Sequence, residues 1–272
     1  MSFGAPDNSY LDFLANVGGP DLASCRDRLA AIQVEALERR AALIPQIAAV
    51  EGLTDAEAAR ALESTVWNLP FSFWQFLGVT RCGWLPASDA TDVRLFDFLF
   101  FEVPGYSDPA SQRRFLPYYY QAYTEFGYPA IRSDHFAHLL ETKPWSLAEA
   151  LPGVPIEFHP EVMQDIASWV KTAGSRLMFV YGEYDPWTAG AFELGNATDS
   201  FVFVQPKGTH SASIASLSAS DQLAARAIVM RWAGVANAPT AMAPIMPPSM
   251  LLSEPEPEPR ALPPVPSLFD AP

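Results

Sequence analysis

Basic residues are scarce in this chain: 17 Lys and Arg stand against 31 Asp and Glu, a formal net charge of -14 over 272 residues. Nucleic acids and anionic membrane surfaces are bound through clustered cations, so this balance argues against both as partners. No apolar run approaches the roughly 20 residues that cross a bilayer, so a membrane span is not expected. The first residues have neither a basic segment nor an apolar stretch of signal-peptide type, which leaves localisation undetermined. Cysteine is nearly absent. Cys25 and Cys82 allow one disulfide or two buried free thiols, and their spacing is not that of a zinc site. Histidine is sparse too, at four residues. His135 and His138 could share a helical face, but no third ligand stands at a recognisable spacing, so neither a metal nor a cofactor is expected. Also missing is any G-x-S-x-G segment, the strained turn that presents a nucleophilic serine.

What is present is apolar and aromatic. Hydrophobic residues make up 49% and aromatics 12%, enough for one substantial core or two small ones. Residues 20–64 show helical periodicity through Leu29, Ile32, Leu37, Leu43, Ile44 and Ile47. Thr54-Asp-Ala-Glu57 then forms a capping-box pattern. Trp67, Phe71, Phe73, Trp74 and Phe76 follow, with Phe96, Phe98, Phe100 and Phe101 beyond them. Such spacing signals core, with a hydrophobic substrate groove as the alternative. Helices are expected through Tyr118–Glu125, over 133–141 and 146–150, and from Pro160 to Val170. After that the pattern becomes strand 176–182, a short helix, strand 200–204 and a helix over 220–233, the alternation of an α/β fold. Eleven of the 26 prolines fall after Ala236, a density that predicts a disordered, partly extended tail over 237–272.

The chemistry concentrates at two strand ends. Arg176–Trp187 reads as a buried strand stopping at Asp185, and Ser200–His210 as a second strand stopping at His210. A carboxylate and an imidazole in this order are the last two members of a Ser…Asp…His triad, where the acid fixes the imidazole tautomer and stabilises its cation. Singly, Asp185 reads as a turn residue before proline and His210 as an exposed loop histidine. Neither Ser107 nor Ser175 fits the first place. Ser107 has one flanking glycine and no preceding strand, and Ser175 precedes a strand.

Several segments together resemble the C-terminal part of the bacterial S37 serine peptidases, the prolyl tripeptidyl and tripeptidyl aminopeptidases. They are Tyr10–Leu14, Cys25 through Arg40, Phe71-Ser-Phe-Trp-Gln75, Tyr119 through Pro129, Tyr181–Trp187 and Gly208-Thr-His210. The resemblance covers residues 5–234. It implies a serine exopeptidase that releases short N-terminal peptides, with Asp185 and His210 as triad acid and base. It also implies an α/β-hydrolase with a large helical cap over 1–165, a core segment over 166–236, and the N-terminal half of the core sheet missing. The family's nucleophile turn lies upstream, so the partners expected are a peptide substrate and an upstream-encoded N-terminal half. Because family members are exported, a Cys25–Cys82 bridge is implied as well. An aminopeptidase needs a carboxylate for the substrate ammonium, and Glu125 is the candidate, with Tyr119 and Trp187 as further substrate contacts. The rival readings are a non-catalytic binding or regulatory domain and a self-contained hydrolase using Ser107.

Overall fold

The computed structural model describes residues 9–105, 113–127, 129, 131–143 and 146–235. Ser107 and the Pro-rich 237–272 segment lie outside the described residues. A run of helices comes first: α1 (Ser9–Asn16), α2 (Ala23–Glu38), α3 (Arg40–Glu51), α4 (Asp55–Ser72), α5 (Asp92–Asp97), α6 (Leu116–Gln121), α7 (Leu147–Ala150) and α8 (Pro160–Ala173). Then come β1 (Met178–Gly182), β2 (Phe201–Gln205) and α9 (Ala219–Trp232). Mostly helical, with one small parallel sheet, the chain is of α/β type. The expected helix over 133–141 is instead a turn followed by a 3₁₀ turn at Ala137–Leu139.

The helical core follows from residue spacing. Leu29, Ile32 and Leu37 of α2 meet Leu43 and Ile47 of α3 and Ala58, Leu62, Val66 and Leu69 of α4, all buried. Steps of three and four place each set on one helical face. Phe73, Trp74, Leu95 and Phe98 close the cluster. The capping box starts α4: the Glu57 N–H donates to the Thr54 hydroxyl, and the Thr54 N–H donates to the Glu57 carboxylate at 2.9 Å. Cys25 and Cys82 are bridged, tying α2 to the 3₁₀ turn Val79–Trp84. At a sequence separation of 57, the bridge contributes about 4 kcal/mol in the chain-entropy account.

Proline shapes the end of α4. Pro70 has no N–H to give the Val66 carbonyl, four residues back. The buried Gln33 amide fills the vacancy, donating to Val66 O at 2.7 Å. Gln33 Oε1 in turn accepts from His135 Nε2 at 2.9 Å, so that ring's proton sits on Nε2. Burial holds the His135 pKa below its usual value. Beyond Pro70 the helix widens into a π-turn, Phe73–Leu77, and similar turns follow α5 at Phe98–Glu102 and α6 at Ala122–Phe126.

The sheet is β1 and β2 in parallel, with Met178 opposite Phe201 and Gly182 opposite Gln205. On one face of β2, Phe201 packs on Trp232 at the end of α9. The other face leaves Val202 and Val204 exposed. The apolar cluster of the helices includes no residue from either strand.

Candidate active site

β1 ends at Gly182, where a side chain has no room: a Cβ there would lie 2.3 Å from the Thr209 carbonyl oxygen. The two strand-end loops are therefore in backbone contact, with Tyr184 N–H donating to Gly208 O at 2.8 Å and Glu183 N–H to Gln205 O at 3.0 Å. Asp185 caps the 3₁₀ turn Pro186–Gly190, its Oδ1 accepting from Trp187 N–H at 3.2 Å. Its Oδ2 accepts from His210 Nδ1 at 2.8 Å. Asp185 is buried while half of the His210 side chain is exposed. A carboxylate can only accept, so Nδ1 carries the proton and Nε2 is left as a base. The hydrogen bond that His210 donates to Asp185 raises the His210 pKa above its ordinary value, against a smaller opposing effect of burial.

The helices grip both loops. Trp187 sits edge-on between Phe71 at 5.1 Å and Tyr10 at 5.8 Å, measured between ring centroids. The His210 N–H donates to the carbonyl of Gln75 in the π-turn at 2.8 Å, and the Phe76 ring stands edge-to-face with the imidazole at 6.2 Å. Gly78 ends that turn at φ +64, with space for a side chain closed by Thr209. Gln75 and Phe76 hold His210 in place, a role their sequence did not announce. They lay inside an aromatic run that reads as core, and only the loop docking on them identifies the contact.

Asp185 and His210 open into a cavity of about 1130 Å³. Trp67 and Phe71 from α4, Tyr118 and Tyr119 from α6, Tyr123, Trp187 and Phe192 line it. The aromatic run after Thr54 thus supplies both core and groove: Phe73 and Trp74 are buried in the core, while Trp67, Phe71 and Phe76 face the cavity. Burial raises the pKa of Tyr118, Tyr123 and Tyr181, so these phenols stay protonated near neutral pH. Of the residues expected to meet a substrate, Tyr119 and Trp187 border the cavity. Glu125 does not; the π-turn directs its carboxylate to the Gln121 amide, 3.2 Å away. Among the described residues the wall carboxylate besides Asp185 is Glu63, already held by Arg40 at 3.1 Å, the backbone N–H groups of Glu141 and Thr142, and the Thr142 hydroxyl. His135 is tied to Gln33 and lies apart from this cavity's wall.

An imidazole fixed by a buried carboxylate, beside an aromatic cavity, can take a proton from a hydroxyl or water and return it to a leaving group. Comparison with known proteins agrees in kind. Residues 3–250 match the family described as PS-10 peptidase S37. Over 245 residues the chain is 35% identical to the prolyl tri/tetrapeptidyl aminopeptidase of Streptomyces mobaraensis, covering 85% of this chain and 50% of that relative. The chain thus spans about half the length of the curated relative it matches. No solved structure matches it.

Proposed function

Because the chain belongs to the S37 peptidase family, we propose that Asp185 and His210 are the acid and base of a serine peptidase. In this reading its nucleophile is supplied from outside these 272 residues. The observation that carries the reading is the 2.8 Å Asp185–His210 hydrogen bond at neighbouring parallel strand ends, opening on the aromatic cavity. His210 Nε2 takes the proton of the serine hydroxyl as that oxygen attacks the peptide carbonyl. It then gives the proton to the leaving amine, with Asp185 stabilising the imidazolium between the two steps. The relative's printed name makes an aminopeptidase, releasing short peptides from the N-terminus, the activity to test first.

The sheet supports the same division. Parallel strands are normally covered on both faces, and a two-stranded sheet is marginal alone. Here Val202 and Val204 remain exposed. Further parallel strands of an α/β-hydrolase core, beside β1, would complete the sheet and bring the serine turn to His210. Residues 1–165 then form the helical cap and 166–236 part of the core.

Alone, the 272-residue chain is expected to hydrolyse no peptide and to bind no serine-directed phosphonate. Joined in trans or by fusion to a segment equivalent to the unmatched half of the relative, it should gain aminopeptidase activity. Loss of His210 should then lower kcat by several orders of magnitude, because triad members act as a unit. Activity that survives His210→Ala would overturn the assignment. An inactive but correctly folded assembly would favour a binding domain.

A further inference from the structure

The cavity wall carries five ionisable acidic or basic side chains among the described residues: Arg60, Glu63, Lys143, Asp185 and His210. Both carboxylates are spent, Glu63 on Arg40 and the 141–142 backbone, Asp185 on His210 and Trp187. Arg60 and Lys143 have no hydrogen bond or ion pair among the described residues. Glu57, one turn from Arg60, is engaged in the capping box. The two cations lie at one end of the cavity. Arg60 precedes Glu63 by three positions on α4, and Lys143 follows Thr142, whose hydroxyl and N–H both bond Glu63. Arg60 and Lys143 are thus the two cations of this end left without a hydrogen bond or ion pair among the described residues, although the Glu57 carboxylate also feels the charge of Arg60.

The other end is His210, docked on the carbonyl of Gln75. Between Arg60 and Gln75 run 15 positions of helix, about 20 Å at roughly 1.5 Å per residue. An extended peptide advances about 3.4 Å per residue, so about six residues separate the imidazole from the cations. We propose that the cavity takes an extended acidic peptide, with a carboxylate on the leaving side of the cleaved bond meeting Arg60 and Lys143. This rests on His210 marking the reaction centre. The polarity follows from charge, because a substrate's terminal ammonium at that end would face two like charges at close range. The carboxylate can be an Asp or Glu side chain or the peptide's own C-terminus, since both offer the same acceptor pair to a guanidinium.

The 272-residue chain itself can be titrated with synthetic octapeptides, using the fluorescence of Trp67 and Trp187 in the wall. One peptide has a free C-terminus, one is amidated with an internal aspartate, and one is amidated and neutral. Two exposed cations should give a few-fold, at most about tenfold, tighter binding of a carboxylate peptide than of the neutral one at low salt. The gap should close near 0.5 M salt as screening shortens. Comparison of the first two peptides shows which carboxylate is read. In the double variant Arg60→Gln, Lys143→Gln, with helicity unchanged, the gap should vanish while neutral-peptide binding stays the same. Equal binding of all three peptides, no binding of any, or a preference surviving in the double variant would overturn the proposal. Because binding is read without catalysis, a failure of the peptidase assignment shows separately, as an inactive assembly that still prefers acidic peptides.

Discussion

At the residue scale, the Asp185–His210 pair couples position to protonation. The hydrogen bond to the carboxylate raises the His210 pKa, so the folded value lies above the unfolded one. The pair's stabilisation is therefore full below the ordinary histidine value near 6.5 and is lost as pH rises through the raised folded value. Under the proposed assignment catalysis would run the opposite way, because the base must be neutral. In the assembled enzyme, activity should climb with pH along a limb centred above about 6.5. Asp185→Asn should bring the His210 titration, followed by NMR in this chain, down toward its ordinary value. In the enzyme it should cost up to about 10⁴-fold in kcat through the lost tautomer. A wild-type His210 that titrates at or below 6.5 would contradict the pairing.

At the scale of elements, the site depends on contacts between backbone segments that tolerate no added atom. Gly182 meets Thr209 O and Gly208 within 2.6 Å of where a Cβ would stand, and a backbone neighbour cannot swing aside. Gly182→Ala should push the two strand-end loops apart and destabilise the fold by about 1–3 kcal/mol. It should also abolish the raised His210 pKa while leaving the helical signal intact. Urea denaturation together with the His210 titration would check this; an unchanged titration would mean that the loops are not held by this contact. The Phe73–Leu77 turn matters for a related reason. Widening a helix after Pro70 turns the Gln75 carbonyl toward the His210 loop, consistent with π-turns recurring at functional sites.

For the whole molecule, the imbalance lies between a well-buried helical core and a thinly covered sheet. Val202 and Val204 of β2 are exposed, as are Ile166 and Trp169 of α8 and Leu223 and Val229 of α9. Apolar surface of this kind marks an interaction site or an aggregation liability. The chain alone should bind a hydrophobic dye and self-associate. Val202→Lys with Val204→Lys should reduce both, and joining the complementary segment should remove them. A monomeric chain with no dye binding would show that these apolar surfaces need no partner.

Much of the candidate site's geometry could be read from sequence because it is local. Each strand is a short apolar run that stops at a polar residue, so Asp185 and His210 stood out, and the three- and four-residue spacing of α2, α3 and α4 marked their buried faces. The capping box at Thr54 was equally legible, since its partners lie within four residues. Tertiary structure decided everything that depends on residues far apart. Gln33 filling the bond that Pro70 leaves open, Glu63 committed to Arg40 and Thr142, and Glu125 turned to Gln121 and away from the cavity have no local signature. The same holds for the grip of Gln75 and Phe76 on His210. A side chain's type is written in the sequence, but whether its charge or hydrogen-bonding capacity is still free depends on which distant segment packs against it.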